Sequence, residues 1–172
     1  IIEEEKASHV IVSFDLKGPT FRHDMFEAYK GTRKGMPDEL RPQMSMVKEV
    51  LKSMNITICE LQGYEADDVL GTLSCIGEKA NFDVALLSGD KDMLQLATKK
   101  VKIIIPRTKG GTTTYEHYYD KDVEELYQAT PLEFIDIKGL MGDSSDNIPG
   151  IPGVGEKTAI KLISKYKSIE AA

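Results

Sequence analysis

Gly63-Tyr64-Glu65-Ala66-Asp67-Asp68-Val69-Leu70 stands between two apolar patterns of different period. Before it, Ile56-Thr57-Ile58-Cys59-Glu60-Leu61 has the length and β-branched content of a buried strand, which Gly63 breaks. After it, Ala66, Val69, Leu70, Leu73 and Ile76 recur at helical spacing. The chain must therefore pass from strand to helix through a few residues that carry three carboxylates. On a helix Glu65 and Asp68, three apart, share a face, with Asp67 one step round. The partial positive charge of a helix N-terminus accounts for one or two of these. Three within four residues point further, to a divalent cation held by oxygen ligands.

The arrangement recurs. His9-Val10-Ile11-Val12-Ser13-Phe14 is a continuous apolar run of strand length that ends at Asp15. Phe82-Asp83-Val84-Ala85-Leu86-Leu87 ends in Ser88-Gly89-Asp90-Lys91-Asp92 and leads to Met93, Leu94 and Leu96. Strands of this kind, apolar on both faces, predict an α/β fold with a mostly parallel sheet flanked by helices. Functional residues in such folds collect at the carboxyl ends of strands. Taken alone, an aspartate in the place of Asp15 is more often a turn or helix-cap residue. Asp90 and Asp92 can face one point only if the backbone bends, which Gly89 permits. An EF-hand is excluded, because the remaining loop ligands and the terminal Glu are missing. Val101 to Ile105 and Thr112 to Tyr115 form a strand pair around Lys109-Gly110-Gly111, with a structural role.

From Phe21 to Gln43 the chain is locally basic, with Arg22, His23, Lys30, Arg33, Lys34 and Arg41 interleaved with Phe21, Phe26 and Tyr29. Gly31, Gly35, Pro37 and Pro42 interrupt it, so one long straight helix is not expected. Basic and aromatic residues so mixed suit a phosphate backbone and unstacked bases, and equally a solvated charged helix pair. Met44, Val47, Val50 and Leu51 then form a helical apolar face.

Toward the C-terminus, Asp122 to Tyr127 predicts a short helix, and Thr130-Pro131-Leu132-Glu133 is a capped helix start. That helix ends at Gly142, before Asp143-Ser144-Ser145-Asp146-Asn147, which serves as a loop or as a source of metal ligands. The Gly/Pro turn Ile148 to Gly155 leads into a helix on which Lys157, Lys161 and Lys165 fall four apart. Gly153 and Gly155 let the backbone approach a phosphate, and the helix N-terminus offers it free N–H groups. Contact with a duplex backbone explains both halves, and a surface helix with a lysine stripe is the plainer alternative.

The chain of 172 residues carries a net charge of −6, which speaks first against nucleic acid. Eight of its 28 acidic residues lie in the motifs above, and without them 20 acidic stand against 22 basic. An acidic total therefore does not exclude DNA. Cys59 and Cys75 lack metal-ligand spacing and point to a reduced, intracellular protein. No transmembrane run or signal peptide is seen.

In combination, Phe14-Asp15, Thr20-Phe21-Arg22-His23, Tyr29-Lys30-Gly31-Thr32-Arg33, Gly63 to Asp68, Ser88 to Asp92, Leu140 to Asn147 and Gly153 to Ala159 stand in an order that resembles the 5′-nuclease (flap endonuclease-like) family. Within it the chain most resembles the 5′→3′ exonuclease domain at the N-terminus of bacterial DNA polymerase I, from about Val10 onward. The resemblance implies a PIN-like or resolvase-like nuclease core over residues 1–137, with a basic helical arch at about 21–47. It also implies a helix–three-turn–helix DNA-binding motif over 138–172. Two magnesium or manganese ions would be ligated by Asp15, Glu65, Asp67, Asp68, Asp90, Asp92, Asp143 and Asp146. Lys30 and Arg33 would act on the scissile phosphate, and a potassium ion would sit at the glycine turn. Arg22, Lys30, Arg33, Lys34, Gly153, Gly155, Lys157, Thr158 and Lys161 would contact DNA as a 5′-flap, nicked or branched duplex. The resemblance further implies a monomer in the bacterial cytoplasm, at the nucleoid, with a parent chain fused to a DNA polymerase.

One departure stands out. Family members begin with a strand carrying another ligating aspartate, and Ile1 to His9, with Glu3, Glu4 and Glu5 in a helical context, does not supply it. The pattern therefore predicts either a fragment of a longer chain or an N-terminus that is disordered or lost. Its alternatives are a catalytically inactive DNA-structure-binding fragment and a PIN-type metal-dependent RNase. The Gly153 to Lys157 turn weighs against the RNase.

Overall fold

In the computed structural model, which describes all residues from Ile1 to Ala172, the strand-to-helix passage forms where the carboxylates predict it. Gly63 takes a left-handed backbone (φ 84°) and helix α4 (Ala66–Lys79) starts three residues later. Contacts divide the chain into two units, Ile1–Leu70 with Ser145–Asn147, and Gly71–Ser144 with Ile148–Ala172.

The first unit contains α1 (Ile2–Glu5), β1 (Ile11–Ser13), α2 (Phe21–Met25), α3 (Arg41–Ser53), β2 (Thr57–Cys59) and the start of α4. β1 and β2 pair in parallel, Ile11 opposite Thr57. Neither is fully buried as the apolar runs predict, since this ladder is only two strands wide and three residues long. The basic segment is not one helix. It is α2, a run of turns, an irregular stretch and α3. Pro42, expected as a breaker, instead occupies the first turn of α3, where its missing N–H has no intrahelical partner to lose. The apolar face of α3 is present but open, with Met46 63% and Val50 56% exposed.

The second unit carries most of the core. β3 (Val84–Leu87) runs parallel to β4 (Val101–Lys109), and β4 is antiparallel to β5 (Thr112–Tyr118). Gly110 and Gly111 turn that hairpin, both with positive φ, as a tight hairpin turn requires. Central β4 is the buried strand: Val101, Ile103, Ile104 and Ile105 are all covered. The α/β class holds, while hydrogen bonding divides the strands into β1-β2, β3-β4-β5 and the short antiparallel pair β6 (Gly142–Asp143) and β7 (Ile148–Pro149). The inner stripe of α4 includes Val69 and Ser74, whereas Ile76, predicted on that stripe, is 57% exposed. Gly77 lies so near β3 that a Cβ there would stand 2.9 Å from the Val84 side chain.

Helices α5 (Asp120–Tyr127), α6 (Pro131–Met141) and α7 (Glu156–Tyr166) complete the unit. At the start of α6 the predicted capping box forms: the Glu133 N–H donates to Thr130 Oγ1 at 3.2 Å, and the Thr130 N–H to Glu133 Oε2 at 2.8 Å. α6 and α7 bury Phe134, Ile137 and Leu140 with Ala159 and Ile163. No helix is long and apolar enough to cross a membrane.

Candidate active site

In the first unit, four of the predicted carboxylates, Asp15, Glu65, Asp68 and Asp146, are held by hydrogen bonds and ion pairs. Asp15, just beyond β1, accepts the Ala66 N–H at 2.7 Å, so it does cap the start of α4. Asp68, in the first turn, accepts the Glu65 N–H at 2.9 Å and a two-pronged bond from Arg22, both prongs 2.7 Å. Glu65 receives Lys30 Nζ at 2.7 Å and the Tyr29 hydroxyl at 3.0 Å. The same hydroxyl donates to Asp146 at 3.2 Å, and Arg33 forms an ion pair with Asp146 while its Nε donates to the Ser145 carbonyl. Lys30, held in a left-handed backbone (φ 54°), also donates its N–H to the Asp146 carbonyl. Asn147 ties the same loop to the Ala28 carbonyl at 2.8 Å. Asp67 is exposed on α4, and Lys34 is exposed in the irregular stretch.

The electrostatics follow from this packing. The Arg22 bond holds the Asp68 carboxyl below its ordinary range, and burial opposes it only in part. That bond likewise lifts the guanidinium. Burial first, then the charges of Glu65 and Asp146, push the Tyr29 phenol far up, so it remains a hydrogen-bond donor.

In the second unit, Asp90 caps the 3-10 helix Lys91–Leu96 by accepting the Asp92 N–H at 2.8 Å. Gly89, expected to supply the bend, has no left-handed φ; the capped 3-10 turn makes it. Lys138 on α6 reaches Asp92 at 2.9 Å and Asp143 at 3.1 Å, so one ammonium joins two of the predicted ligands. Burial raises the Asp92 carboxyl despite that bond. Burial alone would lower the Lys138 ammonium, but its bonds to Asp92 and Asp143 prevail and raise it.

The C-terminal residues are placed as the spacing predicts. Gly153 has φ 81°, Gly155 is the extended N-cap of α7, and no side chain caps that end. Lys157, Thr158, Lys161 and Lys165 are exposed, opposite buried Ala159 and Ile163.

The donors in both units are carboxylate oxygens without His or Cys, the set that suits hard divalent ions. In neither unit do three such side chains converge into a ready-made metal cage. Arg22, Lys30, Arg33 and Lys138 stand among them and set positive charge directly against these carboxylates. A cation fills the same electrostatic role, so the residues fit one.

The family model of the 5′-3′ exonuclease N-terminal resolvase-like domain matches residues 1–128, and that of the 5′-3′ exonuclease C-terminal SAM fold matches residues 129–172. The chain belongs to the 5′-3′ exonuclease family. DNA polymerase I of Bacillus subtilis (strain 168) is 51% identical over 99% of this chain, and that of Geobacillus stearothermophilus is 46% identical over 99%. The chain spans 19% of the length of each relative. Among solved structures, T5 5′-exonuclease with bound divalent zinc superposes with a TM-score of 0.77 at 25% identity, covering 99% of this chain and 65% of that one. A bacteriophage T5 flap endonuclease in a pseudo-enzyme-product complex with DNA and metal ions gives 0.78 at 25%, covering 99% and 64%. The catalytic core of Rad2 with a DNA substrate, at 20% identity and a TM-score of 0.62, covers 94% of this chain and 50% of its own and shares the fold.

Two residues of this chain carry no functional signal of their own in the sequence. Tyr29 was legible as part of the Tyr29 to Arg33 motif, but only its burial reveals a hydroxyl shared by two acids. Lys138 carries no local signal beyond its place in the last turn of α6, five residues before Asp143.

Proposed function

We propose that this chain hydrolyses phosphodiesters at 5′ ends and flaps of branched DNA, in replication and repair. The observation that carries the proposal is the meeting of Lys30 and Arg33 with Glu65 and Asp146. The basic residues suited to a scissile phosphate thus stand against the acids suited to metal. Asp15, Glu65, Asp67, Asp68, Asp90, Asp92, Asp143 and Asp146 would hold two magnesium or manganese ions. Such ions supply an activated water and neutralise the leaving oxygen. Around them the chain's own groups bind and orient. Lys30 and Arg33 turn from their carboxylates to the phosphate, Arg22 keeps the first turn of α4 in place, and Tyr29 stays a donor.

Lys157, Thr158 and Lys161, with Gly153 and Gly155, would hold a duplex backbone, and the turn before α7 would take potassium. Arg22 and Lys34 add to the DNA-facing charge. The division of labour is a nuclease core over residues 1–137 and a helix–three-turn–helix element over 138–172. The matching relatives are bacterial DNA polymerases, which supports a parent chain fused to a polymerase in the bacterial cytoplasm. The chain would act as a monomer.

Cleavage of an end-labelled 5′-flap duplex in magnesium or manganese, against chelator, tests this. Metal-dependent cleavage lost in Asp67→Asn/Asp68→Asn is the expected result. Flap binding with no cleavage would assign the chain to DNA-structure recognition instead, and cleavage of RNA alone would favour the PIN-type RNase.

A further inference from the structure

Phe21 and Tyr64 form an aromatic pair that folding leaves open. Their ring centroids lie 5.6 Å apart at 51°, with Phe21 39% and Tyr64 48% exposed. Two large rings in mutual contact gain more from burial than from standing in water, so their exposure calls for a partner. The pair is also firmly seated. The Phe21 N–H donates to the Gly63 carbonyl at 3.1 Å, binding the first residue of α2 to the residue before Tyr64. The Arg22 guanidinium lies 4.6 Å from the Phe21 ring centroid, and its Nη atoms grip Asp68. Tyr64 itself directly precedes Glu65. The rings thus border the Arg22–Asp68–Glu65 cluster through one shared side chain.

We infer that Phe21 and Tyr64 are a stacking platform for one unpaired nucleobase, which positions the strand against the carboxylates. This rests on the nuclease reading above and adds to it a pair of positioning residues. A base within a duplex has both faces covered by its neighbours, so only an unpaired base can offer its face to these rings. Stacking of this kind tolerates any base, as a structure-specific rather than sequence-specific protein requires. Arg22 adds a cation beside the ring, which strengthens the platform for a strand that carries phosphates.

The test is a comparison of dissociation constants for the whole chain in chelator. One ligand is an intact 5′-flap duplex; the others are the same flap with a single abasic site moved across the junction. In wild type, one abasic site among the unpaired nucleotides near the junction should weaken binding about ten-fold. Tyr64→Leu should weaken the intact flap about as much and respond no further to that abasic site, and Phe21→Leu should behave alike. Tyr64→Phe should restore wild-type behaviour, since it keeps the ring. Tyr64 is half exposed, so its substitution leaves a folded chain in which the comparison is meaningful. The inference is overturned if both leucine variants remain as sensitive to the abasic site as wild type, or if sensitivity appears only at paired positions. A wild-type chain that fails to bind the flap at all overturns the nuclease reading, and this inference with it.

Discussion

Arg22 and Asp68 are joined by two parallel bonds, Nη1 to Oδ2 and Nη2 to Oδ1, each 2.7 Å. Because Asp68 Oδ2 also accepts the Glu65 N–H, one carboxylate ties the short helix α2 to the first turn of α4. Lysine keeps the charge but cannot make the fork. Arg22→Lys should therefore lower stability by about 1 kcal/mol, a value reduced from that of a buried charged bond because the pair is partly exposed. Urea denaturation at neutral pH measures it.

The same pair sets an acid response. The Asp68 carboxyl is depressed when folded, first through the Arg22 bond. Its contribution is thus fully present above about pH 4, the unfolded carboxyl value, and is lost as pH falls through the lower folded value. Asp68→Asn should be less stable than wild type at neutral pH, with the difference shrinking below about pH 4. Equal differences at all pH values would contradict the assignment.

Tyr29 sets the opposite, alkaline response. Its folded phenol is raised, chiefly by burial and then by Glu65, so its contribution is complete below about pH 10 and declines above it. Tyr29→Phe should cost about 1–2 kcal/mol at neutral pH, through lost bonds to Glu65 and Asp146. The gap to wild type should narrow above about pH 10 in thermal or urea unfolding.

Gly142 and Gly150 cross with no room for a side chain. A Cβ on Gly142 would lie 2.2 Å from the Gly150 nitrogen, and one on Gly150 2.1 Å from the Met141 carbonyl oxygen. Either glycine to alanine should cost more than about 3 kcal/mol, since rigid backbone must move. Gly153→Ala meets open space and only the strain of its positive φ, about 1 kcal/mol. Thermal unfolding that ranks Gly153→Ala as the worst of the three would refute this account.

Much of this molecule is written in short-range pattern. The capped start of α6 at Thr130 to Glu133, the Gly110-Gly111 turn, the break at Gly63 and the lysine face of α7 each follow from residues within a few positions of one another. So does the presence of Glu65, Asp67 and Asp68 about the start of α4, because strand length and helical period locate the passage from strand to helix.

Partnership across the chain is what the tertiary structure alone decided. Apolar runs at β1 and β2 look like buried strands, yet burial depends on what lies over a strand, and the covered strand is β4. Ile76 matches the helical period of α4 but faces outward, since period does not say how wide the packed stripe is. Tyr29 and Lys138 become functional candidates only when their polar atoms are found between two acids, 36 and 117 residues away in one case, and on the 3-10 helix and β6 in the other. The sequence by itself determined which residue types could hold phosphate and cation, since that is a matter of chemistry and local spacing. Which carboxylate meets which base was decided by the fold, because charges at a distance along the chain interact only through the geometry that brings them together.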